Sequence, residues 1–302
     1  MLEEADNRLE CHIMDQIITG HDTVTVRTVD SDVVAILLGF TIQFLAINPN
    51  MNLLVDFGTG NKRKHYSINR AYSDLGKEVA DAVMMFHTFS GCDSCSAFFR
   101  QTKSAMFKSW VTFEKREELT EAFRELSCCP SKALLEQYMP LLESYISHTY
   151  GSKQTSDLDS LRFDMFRHSI SDDLRELPRN RDALHEHAKR AAFQAGWLWG
   201  NVLQQSTCPP VDEWGWVIKD EKLFIRWKTL DCGQELSKTL SIYSCRTLKC
   251  VSCSCVSNNF KRLIYCKRQN KCRNSFIFCL SAYYRLCNRP SKAELQSFGF
   301  AD

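Results

Sequence analysis

The order of elements near the start of the chain constrains the fold more than any other feature of the sequence. Thr23–Val29 is short and rich in β-branched residues, which favours a strand. The acidic turn Asp30–Asp32 precedes the apolar run Val33–Phe40, and this combination predicts a buried helix capped by the turn. Asn52–Phe57 then predicts a second apolar strand.

Helical patterns flank these strands. Residues 3–19 carry apolar side chains at every fourth position, which predicts a helix ending at Gly20. Further helices are expected around Ile68–Leu75 and Val79–Phe89, before the turn Ser90–Asp93. The alternation of helices and strands predicts a small α/β layer with a parallel sheet.

The rest of the chain divides into a helical part and a cysteine-rich tail. A chain of 302 residues favours two domains on length alone. The helical pattern runs from about Lys103 to Gln205, with a polar break at 151–156 that resembles a linker. The predicted segments are an α/β domain at 1–110, a helical region at 111–207, an aromatic connector at 208–241 and a tail at 242–302.

Composition narrows the location and the partners. No apolar run approaches the roughly 20 residues that a membrane span needs, and the acidic start differs from a secretory signal. We therefore expect an intracellular protein that does not enter a membrane. Residues 242–302 hold eleven Lys or Arg and two acids, a charge of +9, so the preceding residues carry 2 − 9 = −7. A basic tail attracts nucleic acid, which allows a nuclear location; an unstructured basic tail is the alternative.

Cysteines are concentrated in the same tail, since nine of the 15 lie between Cys232 and Cys287. Closely spaced thiols among Lys and Arg in a reducing compartment fit tetrahedral zinc sites, and unligated cysteines are the alternative. The candidate zinc ligands are Cys245, Cys250, Cys253, Cys255, Cys266 and Cys272.

Acidic residues recur where a parallel sheet would place a ligand site. Asp30 and Asp32 follow the first strand, and ligands bind outside the carboxyl ends of such strands. Converging carboxylates favour Mg²⁺ or Mn²⁺, and two such ions about 4 Å apart can clamp a phosphodiester. The structural alternative is that Asp30 caps a helix and that Glu3, Glu4 and Asp6 favour a helix N-terminus.

Other chemistry-bearing residues have structural explanations. His185 and His187 lie two apart on a predicted helix, so they do not form a metal pair and are expected to be exposed or capping. Cys92 could serve as a nucleophile, but the sequence shows no residue that would orient it for this role. The tryptophans are expected to pack in the core rather than stack on bases: Trp197, Trp199, Trp214 and Trp216.

Three sequence blocks resemble a group of mobile-element-associated proteins that are abundant in invertebrate genomes. The blocks are Leu2–Arg8, Val26–Val34 and Phe89–Ser96. They are similar to the internal acidic motifs of PIN-like and flap-endonuclease (XPG-type) nucleases. Later blocks extend the resemblance over nearly the whole chain: Leu161–Phe166, Arg181–His187, Gln194–Gly200 and Glu213–Trp216.

The resemblance implies a truncated, PIN-like (Rossmann-like) α/β domain with a parallel sheet and a carboxylate metal site. It assigns the metal ligands as Glu4, Asp30, Asp32 and Asp93, with Glu3 and Asp6 as helpers. Such nucleases also draw acids from upstream strands, and this chain begins after them. The glycine-rich hairpin that holds the DNA backbone in these nucleases appears here as Phe99–Lys103, without glycine.

The tail is similar to the tesmin-type CXC module, a cysteine-rich DNA-binding unit. The similarity runs from Tyr243 to Asn274. Arg262 and Arg268 stand where the module has cysteines, and each change removes a zinc ligand and adds a charge. The resemblance therefore implies a degenerate module that holds zinc less well.

Three functions follow as hypotheses. The first is a nucleic-acid-binding, degenerate nuclease-like protein with DNA as its partner. The second is an active Mg²⁺- or Mn²⁺-dependent phosphodiesterase. The third is an interaction-only or unstable relic without a ligand.

Overall fold

The computed structural model describes residues 6–152, 157–168, 174–204 and 207–229. It is a mixed α/β fold, about 62% helical, with a small mixed sheet, so helix packing dominates the core. All of the helices and strands described below lie in one compact unit. Much of the predicted linker at 151–156 and the cysteine-rich tail lie outside the described residues, as do its six candidate zinc ligands, Cys245, Cys250, Cys253, Cys255, Cys266 and Cys272.

The predicted helices and strands are confirmed in their order. The α-helices are α1 (Asp6–Ile18), α2 (Ser31–Ile47), α3 (Ile68–Leu75), α4 (Lys77–Ser90), α5 (Lys103–Thr112), α6 (Arg116–Cys128), α7 (Lys132–Thr149), α8 (Leu158–His168) and α9 (Arg181–Ala192). A π-helical segment, Phe193–Trp199, continues α9, and 3₁₀ turns occur at Gly60–Lys62, Leu174–Glu176, Val202–Gln204 and Val211–Glu213. The strands are β1 (Thr23–Thr28), β2 (Asn52–Phe57), β3 (Lys64–Ser67), β4 (Trp216–Lys219) and β5 (Lys222–Ile225).

The main sheet is only partly parallel. β1 pairs with β2 in parallel, from Thr23 opposite Asn52 to Thr28 opposite Phe57, as the sequence predicts. β3 then pairs antiparallel with β2, so the expectation of a wholly parallel sheet is wrong. The sequence Lys-His-Tyr-Ser of β3 lacks an apolar alternation because the strand lies at an exposed edge, where charged residues discourage aggregation.

Strand direction brings three segments to one edge of this sheet. The carboxyl ends of β1 and β2 lie side by side because the two strands are parallel. The first residues of β3 pair with the last residues of β2, so β3 begins at the same edge. The acidic turn after β1 and the loop between β2 and β3 therefore both lie at this carboxyl edge.

Helix α2 forms the centre of the core next to the sheet. Its largest apolar side chains, among them Phe40 and Phe44, are almost completely buried. It packs against α1, α3 and α4, and α4 also packs against α6 and α9. Gly39 allows α2 to approach α4 closely, because a Cβ there would lie 2.7 Å from the Met84 side chain. No helix within the described ranges is both long and apolar enough to cross a membrane.

Candidate functional site

The structure places Asp30 at the N-terminus of α2, where it caps the helix. Its Oδ1 accepts a hydrogen bond from the backbone N–H of Asp32 at 2.8 Å, and its own N–H donates to Thr28 Oγ1 at 3.0 Å. The capping role that the sequence left open is therefore confirmed. Because the cap engages Oδ1, the second carboxylate oxygen of Asp30 carries the remaining capacity to bind a ligand.

Asp32 pairs with a histidine that α4 delivers from the other side of the site. His87 Nε2 lies 2.7 Å from Asp32 Oδ1, and both side chains are largely buried. The His87 ring also lies near Trp199, with ring centroids 6.2 Å apart. Asp32 thus has a close protein partner, which sequence reasoning did not assign to it.

Asp6 lies close enough to three other carboxylates for their charges to affect its pKa. It sits in the first turn of α1. Burial raises its pKa, and the negative charges of Asp30, Asp32 and Asp93 raise it further. Asp93 is exposed in the turn after α4. The predicted ligands Asp30, Asp32 and Asp93 therefore share an electrostatic neighbourhood with the predicted helper Asp6, whereas Glu3 and Glu4 lie outside the described residues.

The carboxylates match a hard divalent cation in donor type, because Mg²⁺ and Mn²⁺ prefer oxygen ligands. Their positions are less suited to one. Among the residues that the structure describes, no three His, Cys, Asp or Glu side chains are grouped so that they could hold a metal ion together. Asp30 is engaged in its cap and Asp32 in its histidine pair, so the described part of the site is not a formed metal cage.

Lys103 brings a positive charge to the same place. Its ammonium donates hydrogen bonds to the carbonyl oxygens of His87, at 2.7 Å, and of Gly91. Burial lowers its pKa, while the nearby Cys92 and Asp32 act in the opposite direction. Lys103 therefore places a positive charge near Asp32 and ties the C-terminus of α4 to the start of α5.

The segment Phe99–Lys103, which lacks glycine, contains a residue in the left-handed region of backbone conformation. Arg100 adopts φ 59°, a region that costs a residue with a Cβ roughly 1–2 kcal/mol. Its guanidinium lies 5.4 Å from the Phe99 ring centroid and pairs with Glu176. The backbone at Arg100 thus has a conformation that glycine favours, while a large cationic side chain occupies the position.

A basic loop lies at the same carboxyl edge, between β2 and β3. We define it as Lys62–His65, which comprises the end of that connection and the first two residues of β3. Gly58 permits its start, because φ is +96° and a Cβ there would lie 3.1 Å from the Lys62 carbonyl oxygen. The buried Asp56 carboxylate anchors it by accepting hydrogen bonds from Arg63, and these bonds lower the pKa of Asp56. Arg27 also approaches Asp56, at 3.9 Å.

The two lysines of the basic loop remain available to an external anion. Lys62 and Lys64 are exposed. In the part of the chain that the structure describes, neither makes an ion pair, in contrast to Arg63. The loop therefore presents two unneutralised ammonium groups beside the carboxyl ends of β1 and β2.

Cys92 and Cys95 form a second feature that sequence reasoning missed. They pair as an isolated antiparallel bridge around the turn Asp93-Ser94. A hydrogen bond from the Cys95 thiol lowers the pKa of Cys92, whereas burial raises the pKa of Cys95. The Cys-x-x-Cys spacing was the available signal, and it was overlooked because Cys92 was considered only as a single nucleophile.

Glu10 is a further missed residue, one helical turn after Asp6. It is completely buried, and neither carboxylate oxygen has a hydrogen-bond partner among the residues that the structure describes. Burial raises its pKa to about 7. The sequence pattern does not predict the burial of Glu10, because an acidic residue at a polar position of α1 is expected to be exposed.

The expectation for His187 is wrong, while that for the tryptophans is confirmed. His187 is fully buried; its Nε2 donates to the Phe89 carbonyl oxygen at 2.8 Å, and Nδ1 lies 3.2 Å from Ser96 Oγ. It therefore fixes α9 against the end of α4 instead of facing solvent. His185 pairs with Glu136 at 2.6 Å. Three tryptophans are buried and the fourth packs against the core: Trp199, Trp214, Trp216 and Trp197.

The family resemblance rests on the sequence blocks. No protein-family model matches the chain, and comparisons with curated proteins and with solved structures also give no match. The nuclease-like identity consequently enters below as part of a functional proposal.

Proposed function

We propose that this chain is a PIN-like, nuclease-related protein that binds nucleic acid at the carboxyl edge of its main sheet and cleaves it poorly or not at all. The observation that carries the proposal is the position of Lys62 and Lys64. Both are exposed, unneutralised by a described partner, and next to the carboxyl ends of parallel strands, where α/β sheets bind ligands. Phosphate contacts by such cations supply most sequence-independent affinity for DNA.

The carboxylates beside the basic loop explain why catalysis is expected to be weak. A divalent ion held by Asp30, Asp32 and Asp93 would supply charge neutralisation and an activated water for phosphodiester hydrolysis. In this chain Asp32 is engaged by His87 at 2.7 Å, and Asp30 Oδ1 is engaged by the helix cap. An incoming cation would find only the second oxygen of Asp30 outside the cap, would have to compete with His87 for Asp32 and would meet the Lys103 ammonium nearby.

The tail adds a second proposed contact with nucleic acid. Residues 242–302 carry a charge of +9 and the six cysteines of the CXC-like pattern. We propose that these cysteines hold Zn²⁺ and that the basic residues of the tail contribute phosphate contacts. Native mass spectrometry of the full chain tests the zinc: at least one bound ion is expected, and a metal-free mass would contradict this part.

Salt-dependent binding of duplex DNA to the full chain tests the carboxyl edge. The double variant Lys62→Ala/Lys64→Ala should weaken binding and reduce the slope of log affinity against log salt by about 2. The matched control is Lys108→Ala/Lys115→Ala, which removes two exposed lysines from α5 and the turn after it. Equal loss in both variants would indicate a nonspecific charge effect and would contradict binding at this edge.

Incubation of branched DNA with the full chain and Mn²⁺ tests the catalytic part. We expect no cleavage above the level of Asp30→Ala. Cleavage that Asp30→Ala abolishes would overturn the impaired-nuclease proposal in favour of an active phosphodiesterase, while leaving nucleic-acid binding intact.

A further inference from the structure

Cys92 and Cys95 face each other across a tight turn whose middle residues are Asp93 and Ser94. The Cys92 N–H donates to the Cys95 carbonyl oxygen at 3.1 Å, and the Cys95 N–H donates to that of Cys92 at 3.0 Å. Antiparallel residues that exchange both hydrogen bonds have Cα atoms about 5.5 Å apart. A disulfide needs roughly 4.4–6.8 Å between Cα atoms, so the backbone already supplies the required separation.

The side chains lie on the same side of this turn. Ser94 Oγ is 3.3 Å from Cys92 Sγ and 3.7 Å from Cys95 Sγ, so a single hydroxyl contacts both sulfurs. Both thiols are free in the structure. We propose that Cys92 and Cys95 are a redox modification site, at which a small-molecule disulfide such as glutathione disulfide oxidises the pair to an intrachain disulfide.

The proposed reaction is two successive thiol–disulfide exchanges. Cys92, as the thiolate, attacks one sulfur of glutathione disulfide, forms a mixed disulfide and releases one glutathione thiolate. Cys95, after losing its proton to water, attacks Cys92 Sγ and releases the second glutathione. The protein loses two hydrogens and the oxidant gains them as two glutathione thiols, so the step balances without another reactant.

Exposure sets the order of the two attacks. Cys92 is partly exposed, whereas Cys95 is only 2% exposed. The external disulfide can therefore reach Cys92 first, and Cys95 is positioned to resolve the mixed disulfide from inside. Because Cys95 lies next to Cys92, it can displace glutathione from Cys92, so a lasting glutathione adduct on Cys92 is disfavoured.

Peptide mapping of the full chain tests the linkage. The protein is equilibrated with glutathione buffers of increasing oxidation, quenched in acid, alkylated and digested with trypsin. The peptide Glu78–Arg100 contains both thiols, and Glu125–Lys132 contains the exposed, adjacent Cys128 and Cys129 as an internal control. Consecutive Cα atoms are about 3.8 Å apart, which is below the roughly 4.4–6.8 Å that a disulfide needs, so the control pair lacks the preformed geometry.

We expect the Glu78–Arg100 peptide to become unalkylated and lighter by two hydrogen atoms. The concentration of glutathione disulfide that links half of the Glu78–Arg100 peptide should be roughly tenfold lower than the concentration that links half of the control peptide internally. The proposal is overturned if this peptide stays doubly alkylated under conditions that modify Cys128, or if it accumulates a glutathione adduct on Cys92 without forming the linkage.

Single variants test the order of attack. Cys95→Ser should stop at one glutathione on Cys92, whereas Cys92→Ser should leave Cys95 unmodified in the folded protein. Cys128→Ser should leave the linkage unchanged. Glutathione on Cys95 of Cys92→Ser would contradict the proposed order. The readout is a covalent mass change, so it succeeds or fails independently of nucleic-acid binding.

Discussion

His87 and Asp32 lie 55 residues apart in the sequence, yet His87 Nε2 is 2.7 Å from Asp32 Oδ1 at the candidate site. The contact joins the C-terminal half of α4 to the first turn of α2. A hydrogen bond to a charged group contributes about 1.5–3 kcal/mol. Any cation that uses Asp32 as a ligand has to compete with this contact.

The variant His87→Gln should therefore bind Mn²⁺ more tightly than the wild type. We expect the Mn²⁺ affinity to rise about tenfold. This factor corresponds to about 1.4 kcal/mol, which is part of the free energy of the hydrogen bond between His87 and Asp32. Electron paramagnetic resonance of free Mn²⁺ measures the affinity, and His148→Gln on α7 is the control. An Mn²⁺ affinity of His87→Gln equal to that of the wild type would show that the His87 contact does not weaken Mn²⁺ binding by Asp32.

The helix cap at Asp30 can be separated from a ligand role at the same residue. Asp30→Ala should lower the free energy of unfolding by about 1 kcal/mol, whereas Asp30→Ser should retain most of the cap. The matched control is Ser67→Ala, which removes the cap of α3, where Ser67 accepts from the Arg70 N–H.

Stability and Mn²⁺ affinity are measured on the same three variants. We expect Asp30→Ala and Asp30→Ser to lose Mn²⁺ affinity alike, and Ser67→Ala to lose stability only. If Asp30→Ser kept the affinity of the wild type, the Asp30 carboxylate would be a cap without a ligand role.

Local sequence signals predicted the elements of this fold well, because each depends on its own residues. The β-branched run of β1, the apolar run of α2 and the acidic cap between them were all readable. β3 was missed because an exposed edge strand has no buried face to impose a pattern on Lys64–Ser67. Its antiparallel pairing is with β2, the strand before it in the sequence, and follows from the turn of the chain at residues 58–63.

The candidate site was less predictable because its important contacts are long-range. Sequence placed Asp30 and Asp32 at a strand end, but nothing local indicates that His87 reaches Asp32 or that Lys103 reaches the end of α4. Burial was also hidden, since the polarity of His187 suggested exposure, whereas it is completely enclosed.

Glu10 should make the protein less stable as the pH rises. Its pKa is raised from 4.5 to about 7 in the folded state, so between these values the native protein binds one more proton than the unfolded chain. This contribution is full below pH 4.5, falls by about 1.4 kcal/mol per pH unit and is gone above 7. Urea unfolding across this range measures it, and Glu10→Gln should abolish it, unlike Asp15→Asn on the exposed side of α1.

His187 should have the opposite effect over part of the same range. Burial, followed by the charges of Arg179 and Arg190, holds its pKa well below 6.5, so below pH 6.5 the unfolded chain binds the extra proton. Stability is then lost as the pH falls, again by about 1.4 kcal/mol per unit. Just below pH 6.5 the contributions of Glu10 and His187 should therefore oppose each other in the wild type.

Two single variants separate the opposing contributions. Relative to the wild type, the free energy of unfolding of Glu10→Gln should rise with pH over the interval just below pH 6.5, because the opposing contribution of Glu10 is removed. In His187→Gln it should fall with pH over the same interval, on top of a uniform loss of about 1–3 kcal/mol from the buried hydrogen bonds to Phe89 and Ser96. Slopes of the same sign in both variants would show that burial does not hold Glu10 protonated and His187 neutral in the native protein.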